Sequence, residues 1–383
     1  MEENISIFDL LPTEEAGKYK PKKSTDWKWT MAKDYPTEKN GLKVFSCFAC
    51  GGGSTMGYKL AGCEVLGCCE IDPKMNEVYV KNHHPKYNFL MDIRDFNNLP
   101  NDKIPAELFD LDILDGSPPC TTFSMAGQRE ESWGKKKKFR EGQKEQTLDD
   151  LSFVFIETVK KLKPKTVIME NVEGLLLGEA FEYVRKIYDK MNQAGYRMHH
   201  WLLKGENMGV PQKRHRVFFV AVRNDLNIDP LELDMTFNYE TVTYGQAKDE
   251  KGKELSEKVK TVLLNVRPKE KDMVSAWNRI YNPGQPEKRM WFNSIVCYDD
   301  EPLQTVAGDH GQLFDYERKE KVSDKSVANV STFPQDYDFC GQRIPYICGM
   351  SVPPIMIKRI VTRLIEQGVY DYAKSVRTLQ EKE

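Results

Sequence analysis

An α/β fold with a doubly wound, mostly parallel sheet and a second, smaller domain is predicted by three features of this sequence. Short apolar strands alternate with amphipathic helices from about Lys43 to Arg223. A glycine-rich turn follows the first strand, and acidic residues close the next two. The chain has 383 residues, more than one such sheet domain usually takes, so a smaller, irregular unit is expected beside it.

The elements follow in order. Residues 1–40 are polar and charged and read as an N-terminal extension, with Trp27 and Trp29 as packing anchors. "KVFSCF" is the first strand, "ACGGGST" the turn, and "MGYKLAG" the start of a helix. "EVLGCCEID" is the second strand and "DPKMNEVYVKNH" its helix; "YNFLMDI" is the third strand. "FDLDILDGSPPC" is the fourth strand and ends at Cys120, before the amphipathic helix "LSFVFIETVKKLKP". "KTVIMEN" is the fifth strand, "AFEYVRKIYDKMNQAGY" a helix, and "RVFFVAVR" a late strand. These elements define a catalytic and cofactor-binding domain over 41–223. Alternation then stops, and 224–325, rich in Asp, Lys and Asn with scattered aromatics, reads as the smaller domain. Residues 326–383 return to the first domain, with "VPPIMIKRIVTRLIEQGVYDYAKSVRTL" as an amphipathic helix docking on the sheet.

Composition narrows the function. The chain is 40% apolar and 30% charged with a formal charge of -2, so any polyanion site must come from local clustering. The start of the sequence has acidic residues and no long apolar run, and no segment reaches the length of a membrane span. Nine scattered cysteines, an odd number, suit a reduced interior, so a cytoplasmic location without membrane association is expected. Cys47 and Cys50 form a C-x-x-C pair without further metal ligands nearby, and no metal site is expected.

The strand ends describe a nucleoside site. Glycines in "FACGGGSTMG" allow close backbone approach, and Glu70, ending the second strand, stands where a carboxylate takes ribose hydroxyls. Asp92, ending the third, is placed to reach an adenine amino group. The turn does not fit G-x-G-x-x-G, which disfavours a dinucleotide and a dehydrogenase; the absence of G-x-x-x-x-G-K-[ST] disfavours phosphate transfer.

The same carboxyl edge holds reactive groups. Two prolines fix the backbone ahead of Cys120, which places its thiol at a loop start rather than in the core. Glu170 ends the apolar run "TVIME" and is placed to hold or donate a proton. In "GVPQKRHRVFFV" Arg214 and Arg216 share one face by period two, beside the same edge. No histidine has a claim to pair with Cys120, so protease-like chemistry is disfavoured.

Taken together these motifs resemble those of the cytosine-C5 DNA methyltransferases of bacterial and phage type. The resemblance runs in family order from about 43 to 370: Phe48 to Gly53, Glu70, Asp92, Pro119–Cys120, Glu170–Asn171–Val172, Gln212–Arg214–Arg216, "STFPQDY" and Gly349–Pro353. It implies the S-adenosylmethionine-dependent methyltransferase fold and transfer of a methyl group to C5 of a flipped-out cytosine in a short duplex DNA sequence. Cys120 would attack C6, Glu170 would bond the base at N3 and its exocyclic amine, and Arg216, with Arg214 beside it, would hold the ring. Phe48, Gly51, Glu70, Ile71, Asp92, Ile93, Pro119, Leu151, Ser351 and Val352 would line the methyl-donor site. The pattern departs at Cys50, where the family has glycine, at Met350, where it has asparagine, and at Thr121, where glutamine is common.

The cationic run "REESWGKKKKFREGQK" beside the nucleophile segment is expected to contact phosphate through Lys135, Lys136, Lys137 and Lys138. The 224–325 region resembles the family's target recognition domain in position, with Arg279, Arg289 and Asn293 as candidate groove readers. Thr305, in "DEPLQTVAG", is a candidate contact near the flipped nucleotide. Double-stranded DNA is the implied partner of a monomeric enzyme, with a restriction endonuclease as the cognate activity of that class. An RNA cytosine-C5 methyltransferase on the same scaffold, or a non-catalytic DNA-binding relative, are the rival readings.

Overall fold

The computed structural model describes residues 20–119, 150–178, 180–249, 251–288, 291, 293–308 and 312–371. The chain enters through a short helix, α1 (Met31–Asp34), and then the first sheet strand, β1 (Lys43–Cys47). α2 (Gly53–Leu60), β2 (Glu64–Glu70), α3 (Pro73–His83), β3 (Tyr87–Leu90), α4 (Ile93–Asn98) and β4 (Ile113–Gly116) follow. After residues 120–149 come α5 (Leu151–Leu162), β5 (Thr166–Val172), α6 (Ala180–Gln193), β6 (Tyr196–Lys204), β7 (Gln212–Lys213) and β8 (His215–Arg223). Helix starts obey local chemistry: Asp72 caps α3 by accepting the Lys74 amide at 2.9 Å, ahead of Pro73 in the first turn.

These strands form a seven-stranded sheet in the order β3-β2-β1-β4-β5-β8-β6. β1 to β5 pair in parallel, whereas β8 runs antiparallel to both β5 and β6. The doubly wound order therefore holds, with its switch point between β1 and β4, where open α/β sheets place ligands. Two strand features differ from the sequence reading. β6, "YRMHHWLLK", was not expected there; its polar and apolar residues mix without a regular period, and buried, half-buried and exposed positions alternate irregularly at the sheet edge. The third strand also ends early, at Leu90, because Asp92 caps α4 through the Arg94 amide at 2.8 Å.

Alternation along the strands divides the core between the two faces. Val44, Ile113, Ile168 and Phe218 pack with α2, α12 (Pro354–Glu366) and the chain's C-terminal part. Phe45, Leu114, Val167 and Phe219 pack with α5 and α6 on the other side. Burying both faces explains why these strands read as continuous apolar runs.

Beyond β8 the described elements are α7 (Tyr244–Ala247), α8 (Glu257–Leu264), α9 (Val274–Tyr281), β9 (Ser294–Cys297), β10 (Leu303–Gln304), β11 (Gln312–Asp315) and β12 (Glu320–Lys321). β12-β11-β9 form a small separate sheet, and Val262, Met273, Trp277, Val296 and Phe314 give α8, α9 and that sheet their own apolar cluster. The chain returns through α10 (Asp324–Val330) and α11 (Ile344–Met350) to α12. The long C-terminal helix expected from Val352 onward begins at Pro354 and ends at Glu366, because Gly368 takes a left-handed φ of +78°. Trp29 is buried, its indole donating to the Thr332 carbonyl at 2.8 Å. No helix among the described residues is long and apolar enough to cross a membrane.

Candidate active site

A pocket opens at the switch point, lined by the turn after β1, the ends of β2 and β3, the segment after β4, and α5. Phe48, Glu70, Ile71, Asp92, Ile93, Pro119 and Leu151 all line it. Cys50, Cys69, Asp72, Met75, Met91, Ser117, Tyr346 and Met350 complete the wall. Of these, Tyr346 and Met350 come from α11, a seven-residue helix with no long apolar period to announce it in the sequence.

Glu70 is almost entirely buried, and backbone amides hold it: Cys50 N donates to Oε2 at 2.7 Å and Asp72 N to Oε1 at 2.8 Å. Burial pushes its carboxyl up, against the pull of those amides. The carboxylate is thus fixed in orientation while each oxygen retains a further acceptor site. Asp92 faces the same pocket, with Arg94 close by at 3.4 Å. Apolar plates at Phe48, Ile71, Ile93 and Leu151 with two fixed carboxylates suit an adenosine: a flat ring between the plates, hydroxyls and an amine on the acceptors.

The glycines of the turn serve a purpose other than close approach to a ligand. A Cβ at Gly51 would lie 2.7 Å from Ile347 Cγ2 and 2.8 Å from the Tyr337 hydroxyl. At Gly53 it would meet the Val352 carbonyl at 2.3 Å and Ser351 Cβ at 2.8 Å. Gly51, Ser351 and Val352 therefore stand behind the pocket wall, where the C-terminal segment packs on the turn. The Tyr337 hydroxyl and His83 Nε2, the latter at 3.2 Å, both bond the Gly51 carbonyl. Ser351 Oγ is buried without a hydrogen-bond partner among the described residues. Cys50 adopts a left-handed φ of 46°, the conformation that glycine accepts most readily. Burial pushes its thiol up to about 12, with Glu70 adding to the shift.

The end of β5, next to the segment that follows β4, holds a charged pair. Arg216 Nε lies 2.9 Å from Glu170 Oε1, and Asn171 Nδ2 donates to the Pro118 carbonyl at 3.4 Å. Asn171 thereby ties β5 to the proline segment. Cys120 follows Pro119 directly and lies outside the described residues, as do Lys135, Lys136, Lys137, Lys138 and Arg289.

Arg214 does not hydrogen-bond Glu170. It is buried, donating from Nη2 to the Gly349 carbonyl at 3.0 Å and from Nη1 to the Val306 carbonyl at 3.4 Å. Thr305 Oγ1 donates to the Lys213 carbonyl at 2.6 Å, and β10 pairs in parallel with β7. The segment 303–308 is therefore stitched to β7, directly before Arg214 and β8. Arg279 forks onto Glu270, at 2.6 and 3.0 Å, and so ties α9 to the loop before it rather than offering a free guanidinium. Asn293 accepts the Gln312 amide through its carbonyl at 2.9 Å, beside β9 and β11.

A nucleoside pocket at the switch point, next to a Pro-Pro-Cys segment and a glutamate–arginine pair, defines a class of group-transfer enzyme. The model of the C-5 cytosine-specific DNA methylases matches residues 42–366, and the chain belongs to that family. It is thus an S-adenosylmethionine-dependent cytosine-C5 methyltransferase. Type II methyltransferase M1.HphI of Haemophilus parahaemolyticus is 26% identical over 342 residues, covering 85% of this chain and 87% of its own. M.FnuDI of Fusobacterium nucleatum is 31% identical over 191 residues, half of each chain. A crystal structure described as a DNA modification methyltransferase of an E. coli prophage superposes with a TM-score of 0.60 at 18% identity, covering 85% of this chain and 99% of that one.

Proposed function

We propose that the enzyme methylates C5 of a cytosine flipped out of a short duplex DNA sequence, through a covalent bond between Cys120 and C6. The observation that carries this reading is the Glu170–Arg216 pair, 2.9 Å apart, with Glu170 on the strand whose Asn171 bonds the Pro118 carbonyl, two residues before Cys120. The C5 of cytosine is a weak nucleophile and must gain electron density first. Addition of the Cys120 thiolate to C6 supplies it, leaving an enamine at C5. Glu170 holds N3 and the exocyclic amine and supports the proton gained there; Arg216 orients Glu170 and bonds the ring carbonyl.

S-adenosylmethionine supplies the methyl group as an electrophile. Phe48, Ile71, Ile93 and Leu151 would hold its adenine, and Glu70 and Asp92 its hydroxyls and amine, with Ser351 Oγ behind them. Loss of the C5 proton then expels Cys120 and frees the product. A base stacked within a duplex cannot meet these groups, so the cytosine must leave the stack. Thr305, on the segment stitched to Lys213, supports the target strand in this reading, and Arg214 is a positioning residue behind it.

The test is transfer of labelled methyl from S-adenosylmethionine to unmethylated duplex DNA of varied sequence and, separately, to purified RNA, with nucleoside analysis and Cys120→Ser in parallel. Label in 5-methylcytosine that vanishes in the variant is the expected result. Label only in RNA would replace the substrate, and none in either would replace the activity by binding alone.

A further inference from the structure

The strand that leads to the nucleophile carries a buried carboxylate for which the reaction has no direct use. Asp115, in β4, is 3% exposed and joins three elements. Its Oδ2 accepts from Ser46 Oγ of β1 at 2.6 Å, and its Oδ1 from the Tyr58 hydroxyl of α2 at 3.0 Å. β1 enters the glycine turn and α2 leaves it, so Asp115 grips both legs of that turn. Two residues further along its own strand direction, Ser117 and then Pro119 form the facing wall of the methyl-donor pocket.

We propose that ionised Asp115 is a positioning residue that sets the width of the methyl-donor pocket by bracing the glycine turn against the nucleophile segment. The inference rests on the reading of that pocket as the donor site. A carboxylate can accept both hydroxyl protons at once. A protonated carboxyl donates from one oxygen, so Ser46 or Tyr58 must turn its own proton away and accept instead, and a charge-assisted bond on one leg of the turn becomes a weaker neutral one.

Protonation is within reach near neutrality. Burial pushes the Asp115 carboxyl up to about 7, opposed by the Ser46, Tyr58 and Ser54 hydroxyls. Glu170 of β5 is the charged group that faces it, and adds to the rise. Cys47 of β1 and Tyr79 of α3 are the other titratable neighbours, both held in their neutral forms by burial.

Two slopes of opposite sign follow. An acid whose folded pKa lies above its unfolded value destabilises the fold as pH rises between the two, here from about 4 to about 7. Donor affinity should rise over the upper part of that window, as the brace becomes ionised. A side chain with only a structural role would move both quantities together.

Calorimetric titration of S-adenosylhomocysteine at pH 6 and pH 8, with thermal unfolding of the free protein alongside, tests this. Exchanging a charge-assisted hydrogen bond for a neutral one costs about 1 kcal/mol, so the wild type should bind about fivefold more tightly at the higher pH while melting lower. Asp115→Asn should bind weakly at both pH values and lose the difference; because the ligand is the same, its own ionisation cancels. Tyr58→Phe, which keeps the packing of the ring, should lose more affinity at pH 8 than at pH 6. A wild-type affinity without pH dependence, or one that Asp115→Asn retains, overturns the inference. Absence of S-adenosylhomocysteine binding in the wild type would instead overturn the reading of the pocket.

Discussion

Arg216 reaches Glu170 diagonally across two antiparallel strands, for β8 places Arg216 opposite Val172, two residues beyond Glu170 on β5. The side chains are only 14% and 13% exposed, so the pair is largely withdrawn from water. Removing either partner leaves the other as an uncompensated charge at low dielectric. Glu170→Gln is therefore expected to slow methyl transfer by about 10²–10⁴-fold, the range for a general acid–base group, with S-adenosylhomocysteine binding little changed. Arg216→Lys should not restore the rate, since an ammonium lacks the planar fork. Single-turnover rates decide; a loss below about tenfold, or 1.4 kcal/mol, would remove Glu170 from the chemistry.

Arg214 acts on the backbone rather than on the pair. It crosslinks Val306 and Gly349, and Gln212 Oε1 accepts the Val306 amide at 3.2 Å from the same segment. Arg214→Met keeps much of the length of the side chain without its donors and leaves both carbonyls unbonded, so 303–308 should loosen while the sheet stays intact. The check is hydrogen exchange at Val306, expected to accelerate in the variant while strand amides of β5 remain protected. Equal protection of Val306 in both proteins would mean that Gln212 alone holds the segment.

Legibility in the sequence followed physical locality. β1, β2, β4 and β5 could be read because both their faces are buried and glycine, proline or acidic residues mark their ends. β6 could not, since an edge strand with His199, His200 and Lys204 among its apolar residues has neither a continuous run nor a strict period of two. The antiparallel direction of β8 leaves no trace in composition. The pocket's acidic and apolar lining was legible as strand ends. Its back wall was not: Tyr337 and Ile347 fill the space of the missing Gly51 Cβ from almost 300 positions away, and no local pattern records that contact. Arg214 and Arg216 share a face by period, yet the different partners within reach separate their roles.

Gly349 owes its identity to a backbone contact. A Cβ there would lie 2.3 Å from Gly308 N and 2.5 Å from the Ala307 carbonyl carbon, atoms that cannot rotate away. Gly349→Ala should destabilise the protein by about 3 kcal/mol, the upper end of overpacking costs, and weaken cofactor binding through the adjoining Met350. Gly341→Ala is the control. Its φ of +69° carries strain, but no atom lies within 4 Å of the new Cβ, so about 1 kcal/mol is expected. Urea unfolding separates the two; equal losses would mean that the 349–308 contact yields.

His83 should make the turn sensitive to acid. Its Nε2 lies 3.2 Å from the Gly51 carbonyl, so that nitrogen carries the proton, and Nδ1 is buried with no partner among the described residues. A second proton at Nδ1 would have no acceptor. Burial accordingly lowers the imidazole from 6.5 to about 3, with Lys59 contributing. The folded pKa lies below the unfolded one, so on acidification the unfolded chain takes up a proton that the native state refuses. Stability contributed by neutral His83 is thus present above about pH 6.5 and lost progressively toward pH 3. Its share of the loss from pH 7 to pH 4.5 should be about 2–3 kcal/mol, at 1.36 kcal/mol per pH unit below the unfolded pKa. His83→Gln keeps a donor for the Gly51 carbonyl but cannot titrate. Urea unfolding at the two pH values should therefore show the variant losing less stability than the parent by about that amount. Parallel losses in both proteins would mean that other groups carry the acid sensitivity and that His83 serves the turn through packing alone.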